Sequence, residues 1–157
     1  MRRCVFLDRD GVINVKPQRG EYILSWKQFQ LIQAVADWIR IFKALGYLVI
    51  VVTNQRCVAL GQLTLEELNL LHANMLGGLA ALGAHIDDVY FCPHAEGDCD
   101  CRKPKTGMVT AAAAKWDIDL AQSLMIGDSF LDEEMARRCG LRFVAVAEGR
   151  VVDSVQE

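Results

Sequence analysis

Long apolar runs are missing from this chain. No stretch approaches the ~20 residues that a membrane-spanning helix needs, so no membrane partner is expected. The apolar segment behind Met1-Arg2-Arg3 breaks at Asp8, too early for the apolar region of a secretory leader. The expected compartment is therefore the cytoplasm. Cations are also in short supply: 17 Lys and Arg stand against 20 Asp and Glu, a formal net charge of −3, with a pI near 5.6. That balance argues against general affinity for nucleic acid or anionic lipid. An anionic ligand would have to be met by a local cluster of cations. Neither an internal repeat nor a low-complexity linker interrupts the sequence, and 157 residues fit one domain comfortably.

What is present is an alternation of short apolar runs with helical patterns. Residues 4–7 form an apolar run ending in polar residues, and residues 47–52 (YLVIVV) are apolar and β-branched throughout, both patterns of buried parallel strands. Further strands are predicted at 89–91, 124–126 and 142–146. Helical spacing runs from Leu31 to Leu45, with Gly46 as a stop. Thr64-Leu65-Glu66-Glu67 has the form of a capping box, opening a helix that should reach Leu82. Helices are also predicted at 108–116 and 132–139. This order implies an α/β fold, one doubly wound parallel sheet. In such a sheet the loops at the carboxyl ends of the strands form the ligand crevice, and here these are 11–28, 53–63 and 92–106.

Four polar clusters fall on those loops. Asp8 and Asp10, separated by one residue just past a buried strand, can face one crevice. Two such charges raise one pKa or demand a cation, and hard oxygen ligands favour magnesium. Thr53-Asn54-Gln55 follows YLVIVV and offers a hydroxyl and amides to a phosphate oxygen. Arg102-Lys103-Pro104-Lys105 is the one dense cationic patch. Gly127-Asp128-Ser129-Phe130-Leu131-Asp132 supplies another carboxylate, although Asp128 reads equally as a helix N-cap. Taken singly, each also reads as an ordinary solvated turn or loop. Their order, each behind a strand, gives them joint meaning.

Six cysteines are unevenly spread. Cys92, Cys99 and Cys101, with His94, make a Cys₃His set within one loop. Zinc in a closed tetrahedral structural site is its natural occupant, the alternative being a free or redox-active thiol group. Cys4, Cys57 and Cys139 read as packed or free thiols. His72 and His85 read as surface or helix-packing residues.

FLDRDGVIN, VVTNQ, CRKPKTGM and MIGDSFLDEEMA resemble, in order and spacing, the four signature motifs of the haloacid dehalogenase-like (HAD) phosphatases. CPH…CDCRKP resembles the zinc-bearing loop of the heptose-bisphosphate and histidinol-phosphate phosphatases within that superfamily. The resemblance implies a Rossmann-like sheet without a separate cap domain, one domain over residues 1–157 with a zinc loop at about 92–101. It also implies a magnesium-dependent phosphomonoesterase acting as a monomer on a small phosphorylated metabolite. Asp8 would be the nucleophile, forming an aspartyl-phosphate, and Asp10 the general acid and base. Asp8, the Asp10 backbone carbonyl and Asp128 would hold magnesium, with Asp132 behind them. Thr53, Asn54, Arg102 and Lys103 would bind substrate and phosphate. Cys92, His94, Cys99 and Cys101 would hold zinc. The chain departs from the heptose enzymes after TNQ, where Leu60 stands in place of an arginine and Cys57 in place of a glycine. Histidinol phosphate and a polynucleotide 3′-phosphate end are the alternative substrates. A zinc-stabilised interaction module without catalysis is disfavoured, because every expected catalytic residue is present.

Overall fold

The strand run Val5, Leu7 on one face and Cys4, Phe6 on the other is apolar on both sides, so it can be buried only at the centre of a covered sheet. That is where the computed structural model, which describes residues 1–97 and 99–155, places it. Asp98 of the expected zinc loop, and Gln156 and Glu157 at the end of the expected domain span, lie outside the described residues.

The elements follow in the order β1 (Cys4–Leu7), α1 (Gln33–Ala44), β2 (Leu48–Asn54), α2 (Leu65–Ala80), β3 (Asp88–Cys92), α3 (Gly107–Trp116), β4 (Leu124–Gly127), α4 (Phe130–Cys139), β5 (Arg142–Ala147) and β6 (Arg150–Val151). One sheet runs β3-β2-β1-β4-β5-β6, parallel except for the antiparallel β5–β6 pair. The chain winds outward from β1 in one direction through β3 and returns to the other side with β4. The switch point therefore lies between β1 and β4, where the carboxyl ends open a crevice.

Alternation along the strands sorts the core into two layers. Val5, Leu7, Val49 and Val51 pack against α1 and α2 through Val35, Ile39, Leu68, Met75 and Leu79. Phe6, Leu48, Ile50 and Val52 pack against α3 and α4 through Met108, Val109, Met135 and Ala136. The capping box at Thr64 and Glu67 forms at the start of α2.

Several boundaries differ from those read in the sequence, α1 and α2 being slightly shorter at Gln33–Ala44 and Leu65–Ala80. β2 runs on through Thr53 and Asn54, because these residues pair in register with Phe91 and Cys92 of a longer β3. The cap of α4 is Ser129, not Asp128, and the helix begins at Phe130. The two-residue β6 was not anticipated: Glu148 and Gly149 both take positive φ (50° and 80°) and turn the chain back on β5.

Candidate active site

The segment leaving β1 is wound tightly. The Arg9 carbonyl accepts the N–H groups of Val12, Ile13 and Asn14 at 2.8–3.2 Å. Gly11 holds φ +91°, and a Cβ there would fall 2.0 Å from Asp128 Oδ2. Only glycine fits, so the turn is specified both by its conformation and by the carboxylate arriving from β4. Asp8 stays in the sheet, donating its N–H to Ile126 O at 3.2 Å. The β1 and β4 ends are thereby joined where Asp8 and Asp128 stand.

Lys103 reaches this point from the loop after β3. Although it is only 4% exposed, each ammonium proton has an acceptor: Asp132 Oδ1 at 2.7 Å, Asp8 Oδ1 at 2.9 Å and Val52 O at 3.1 Å. Asp132 is held in turn by the capping box of α4, accepting at Oδ2 from Ser129 N–H and Oγ. Burial opposes a charged Lys103, but Asp132 and Asp8 outweigh it and push its pKa up. Asp8 moves the other way in chemical sense. Burial and the Asp132 charge raise its carboxyl well above the usual range, against the pull of Lys103. The two directions describe one imbalance: three carboxylates, Asp8, Asp128 and Asp132, share a single buried ammonium.

That imbalance is the condition for a divalent cation. Oxygens of Asp8, Asp128 and Asp132 lie within 4.8 Å of one another. Asp132 already spends its oxygens on Lys103 and Ser129, which leaves Asp8 Oδ2 and Asp128 as the candidate ligand oxygens. Asp128 Oδ1 is buried without a hydrogen-bond partner among the described residues, and burial raises the Asp128 carboxyl against the nearby Lys16 ammonium, 3.3 Å from Oδ2. An all-oxygen, anionic set of this kind fits magnesium.

Thr53 Oγ1 accepts from Gln55 Nε2 at 3.0 Å, and the same nitrogen reaches Asp10 Oδ2 at 3.4 Å. Asn54, expected at the phosphate, is instead turned to the chain. Its Oδ1 accepts the Lys103 N–H at 2.9 Å and its Nδ2 donates to Lys103 O at 3.4 Å. Asn54 thus clamps the backbone that presents the ammonium. Arg102 NH1 is buried without a partner among the described residues. With Lys103, Lys105 and Arg138, it lines a cavity of ≈ 400 Å³. A second cavity of ≈ 640 Å³ opens beside Gly11, Lys16 and Asp128.

The thiols gather as expected. Cys92 Sγ lies 3.5 Å from both Cys99 Sγ and His94 Nδ1, and His94 Nδ1 lies 3.3 Å from Cys101 Sγ. A tetrahedral zinc with arms of about 2.3 Å to sulfur would separate its ligands by about 3.8 Å, so small outward shifts would admit the ion. Desolvation opposes ionisation of Cys99, yet the backbone N–H groups of Arg102 and Cys101 bring its thiol down to about 6.

Residues 100–155 match the HAD-hydrolase-like family. The chain is 40% identical over 148 residues to the D-glycero-beta-D-manno-heptose-1,7-bisphosphate 7-phosphatase of Rhodopseudomonas palustris, covering 89% of this chain and 81% of that one. It is 38% identical over 130 residues to the alpha-anomer enzyme of Campylobacter jejuni, covering 83% and 73%. The solved D,D-heptose 1,7-bisphosphate phosphatase of B. bronchiseptica, complexed with magnesium and phosphate, superposes with TM-score 0.86 at 32% identity, covering 94% of this chain and 83% of that one. This chain belongs to the HAD phosphatases of the heptose-bisphosphate type.

In this HAD phosphatase three polar residues, Arg9, Asn14 and His72, join the site although the sequence reading gave them no role there. Arg9, between the two aspartates, is 0% exposed. Its Nε donates to Asp10 Oδ1 at 3.0 Å, its NH2 stands 2.9 Å from the same oxygen, and its NH1 meets His72 Nε2 at 3.1 Å. Asn14 Nδ2 donates to Asp10 Oδ1 at 3.0 Å, and Gln55 approaches from the other side. A signal for Arg9 did exist: Val5, Leu7 and Arg9 keep one alternation, which turns Arg9 toward α2. His72 lies on the buried stripe Leu68, Leu71, His72, Met75, Leu79 of that helix.

Proposed function

We propose that this phosphatase hydrolyses the 7-phosphate of D-glycero-D-manno-heptose 1,7-bisphosphate through an aspartyl-phosphate on Asp8, the reaction named for its relatives from R. palustris and C. jejuni. The observation that carries the mechanism is the Lys103 ammonium shared between Asp8 and Asp132 at the switch point, beside Asp128.

Asp8 Oδ1 is already bonded to the Arg9 N–H and to Lys103, which leaves Oδ2 to attack phosphorus. Lys103 follows the charge as it moves onto the phosphoryl oxygens. Gln55 donates to Thr53 Oγ1, whose own proton makes a long 3.5 Å contact to Asn54 O and can turn to a phosphoryl oxygen. Asp10 gives its proton to the departing sugar oxygen and then takes one from the water that cleaves the acyl phosphate. Asp8, Asp128 and the Asp10 carbonyl would hold magnesium, which when bound polarises the phosphoryl group and neutralises the carboxylates. Arg102, Lys105 and Arg138 face the ≈ 400 Å³ cavity beside Lys103. Their charge suits the second phosphate, at a distance in sequence from Leu60, where no cation stands.

The Cys92–His94–Cys99–Cys101 set would hold a structural zinc that fixes the loop ending in Arg102 and Lys103, within one domain over residues 1–157. Four protein ligands leave no open position. The same reading takes the protein to act as a cytoplasmic monomer.

The test is hydrolysis of a generic aryl phosphate with magnesium, wild type against Asp8→Asn, followed by kcat/KM on heptose 1,7-bisphosphate, histidinol phosphate and glycerol phosphates. Turnover that survives Asp8→Asn would refute the mechanism. A kcat/KM favouring histidinol phosphate would refute the substrate.

A further inference from the structure

Burying a guanidinium without solvent is costly unless every direction of its fork is answered. Arg9 donates to Asp10 Oδ1 with Nε and meets His72 with NH1, while its NH2 lies 2.9 Å from the same Asp10 oxygen without a hydrogen bond among the described residues. Arginine is a donor only, so the contact at 3.1 Å requires His72 Nε2 to be the acceptor, with the ring proton on Nδ1. The ring sits on α2, tilted against Phe91 of β3 at 5.8 Å between centroids, where it has little freedom to turn. On Asp10 the result is an asymmetry. Oδ1 receives Arg9 and Asn14, whereas Oδ2 has, among the described residues, only Gln55 Nε2, at 3.4 Å.

We infer that His72 is a positioning residue: by bonding Arg9 it fixes the Asp10 carboxyl so that Oδ2 alone exchanges protons with the substrate. This rests on the reading of Asp10 as general acid and base. In the first half-reaction the Asp8 Oδ2–phosphorus bond forms as the phosphorus–sugar oxygen bond breaks, and the proton on Asp10 Oδ2 passes to that oxygen. In the second, Asp10 Oδ2 takes a proton from water as the water oxygen bonds to phosphorus and Asp8 is released. An Oδ2 that swings out of line does harm in proportion to how much the leaving oxygen needs its proton. An alkoxide needs it greatly and a nitrophenolate scarcely.

The experiment compares His72→Leu, His72→Gln and Asp10→Asn on an alkyl sugar phosphate and on p-nitrophenyl phosphate, with magnesium. His72→Leu should lower kcat on the alkyl ester about tenfold to a hundredfold, with p-nitrophenyl phosphate falling less than about threefold. His72→Gln, whose amide oxygen can accept from Arg9, should restore most of the loss. Equal losses on both esters, or a glutamine variant as poor as leucine, would overturn the inference. If Asp10→Asn itself fails to discriminate the two esters, the assignment of Asp10 is what fails. Should His72→Leu not fold, ¹⁵N shifts of the wild-type ring decide. A bare Nε2 with the proton on Nδ1 is expected, and a protonated Nε2 at neutral pH would overturn the inference.

Discussion

Among the described residues Lys103 carries the only buried positive charge in contact with Asp8 and Asp132, and its three protons are all spent. Removing it leaves carboxylates facing one another in a site that excludes water, the costly case for a buried ion pair. Lys103→Met should lose about 3 kcal/mol in urea unfolding and about a hundredfold or more in kcat. His72 gives the pH counterpart. Burial, with Arg9 adding to it, lowers its pKa from 6.5 to about 3. Between those values the unfolded chain binds a proton that the folded one refuses, so stability falls as pH drops from about 6.5 toward 3, by up to about 1.4 kcal/mol per pH unit. The Asp10 charge pulls the His72 pKa the other way, but is outweighed. Denaturation curves at pH 7 and pH 5 should show a smaller difference for His72→Gln than for wild type. Asp8, Asp10 and Asp128 were legible because each stands just behind an apolar run, and Lys103 because it lies in the one dense cationic patch. The Arg9–His72 pair was not, since 63 residues separate its members and only the packing of α2 over β1 brings them together.

At the level of elements, helix starts do two separable jobs. The capping box of α2 joins Thr64 and Glu67 at the surface. That of α4 joins Ser129 and Asp132 in the site, and Asp132 passes the constraint on to Lys103. Thr64→Ala and Ser129→Ala should each cost about 1 kcal/mol, the usual value of an N-cap. Only Ser129→Ala should also lower kcat, by roughly tenfold, because it frees a carboxylate that orients the ammonium. Parallel thermal melts and initial rates would separate the two. Equal kinetic effects would break the link from helix cap to site. Pattern served these elements unevenly. YLVIVV was legible as a strand because both its faces are buried, but Thr53 and Asn54 looked like loop residues until β3 supplied partners. β6 is two residues long, too short to carry any period.

Over the whole molecule, two candidate metal positions bear on one loop. Asn54 pairs with Cys92 across β2 and β3 and also clamps the Lys103 backbone. The thiol cluster, which spans Cys92 to Cys101, and the Lys103 ammonium therefore hang from the same strand end. Zinc bound there closes a loop that would otherwise have to be ordered by those few contacts, and ion binding to the folded state alone adds to stability by mass action. Stripping zinc with a chelator, the thiols kept reduced, should remove about 2.7 kcal/mol if free zinc had stood a hundredfold above its dissociation constant. For a chain of this length that is a fall of roughly 5–10 °C in Tm. Activity should fall with it, mainly in kcat, because Lys103 loses its bearing while Asp8 and Asp128 keep theirs. Zinc added back should restore both Tm and rate, and magnesium alone should restore neither. Stripped protein that keeps its full kcat would show that the cluster and the ammonium are independent after all.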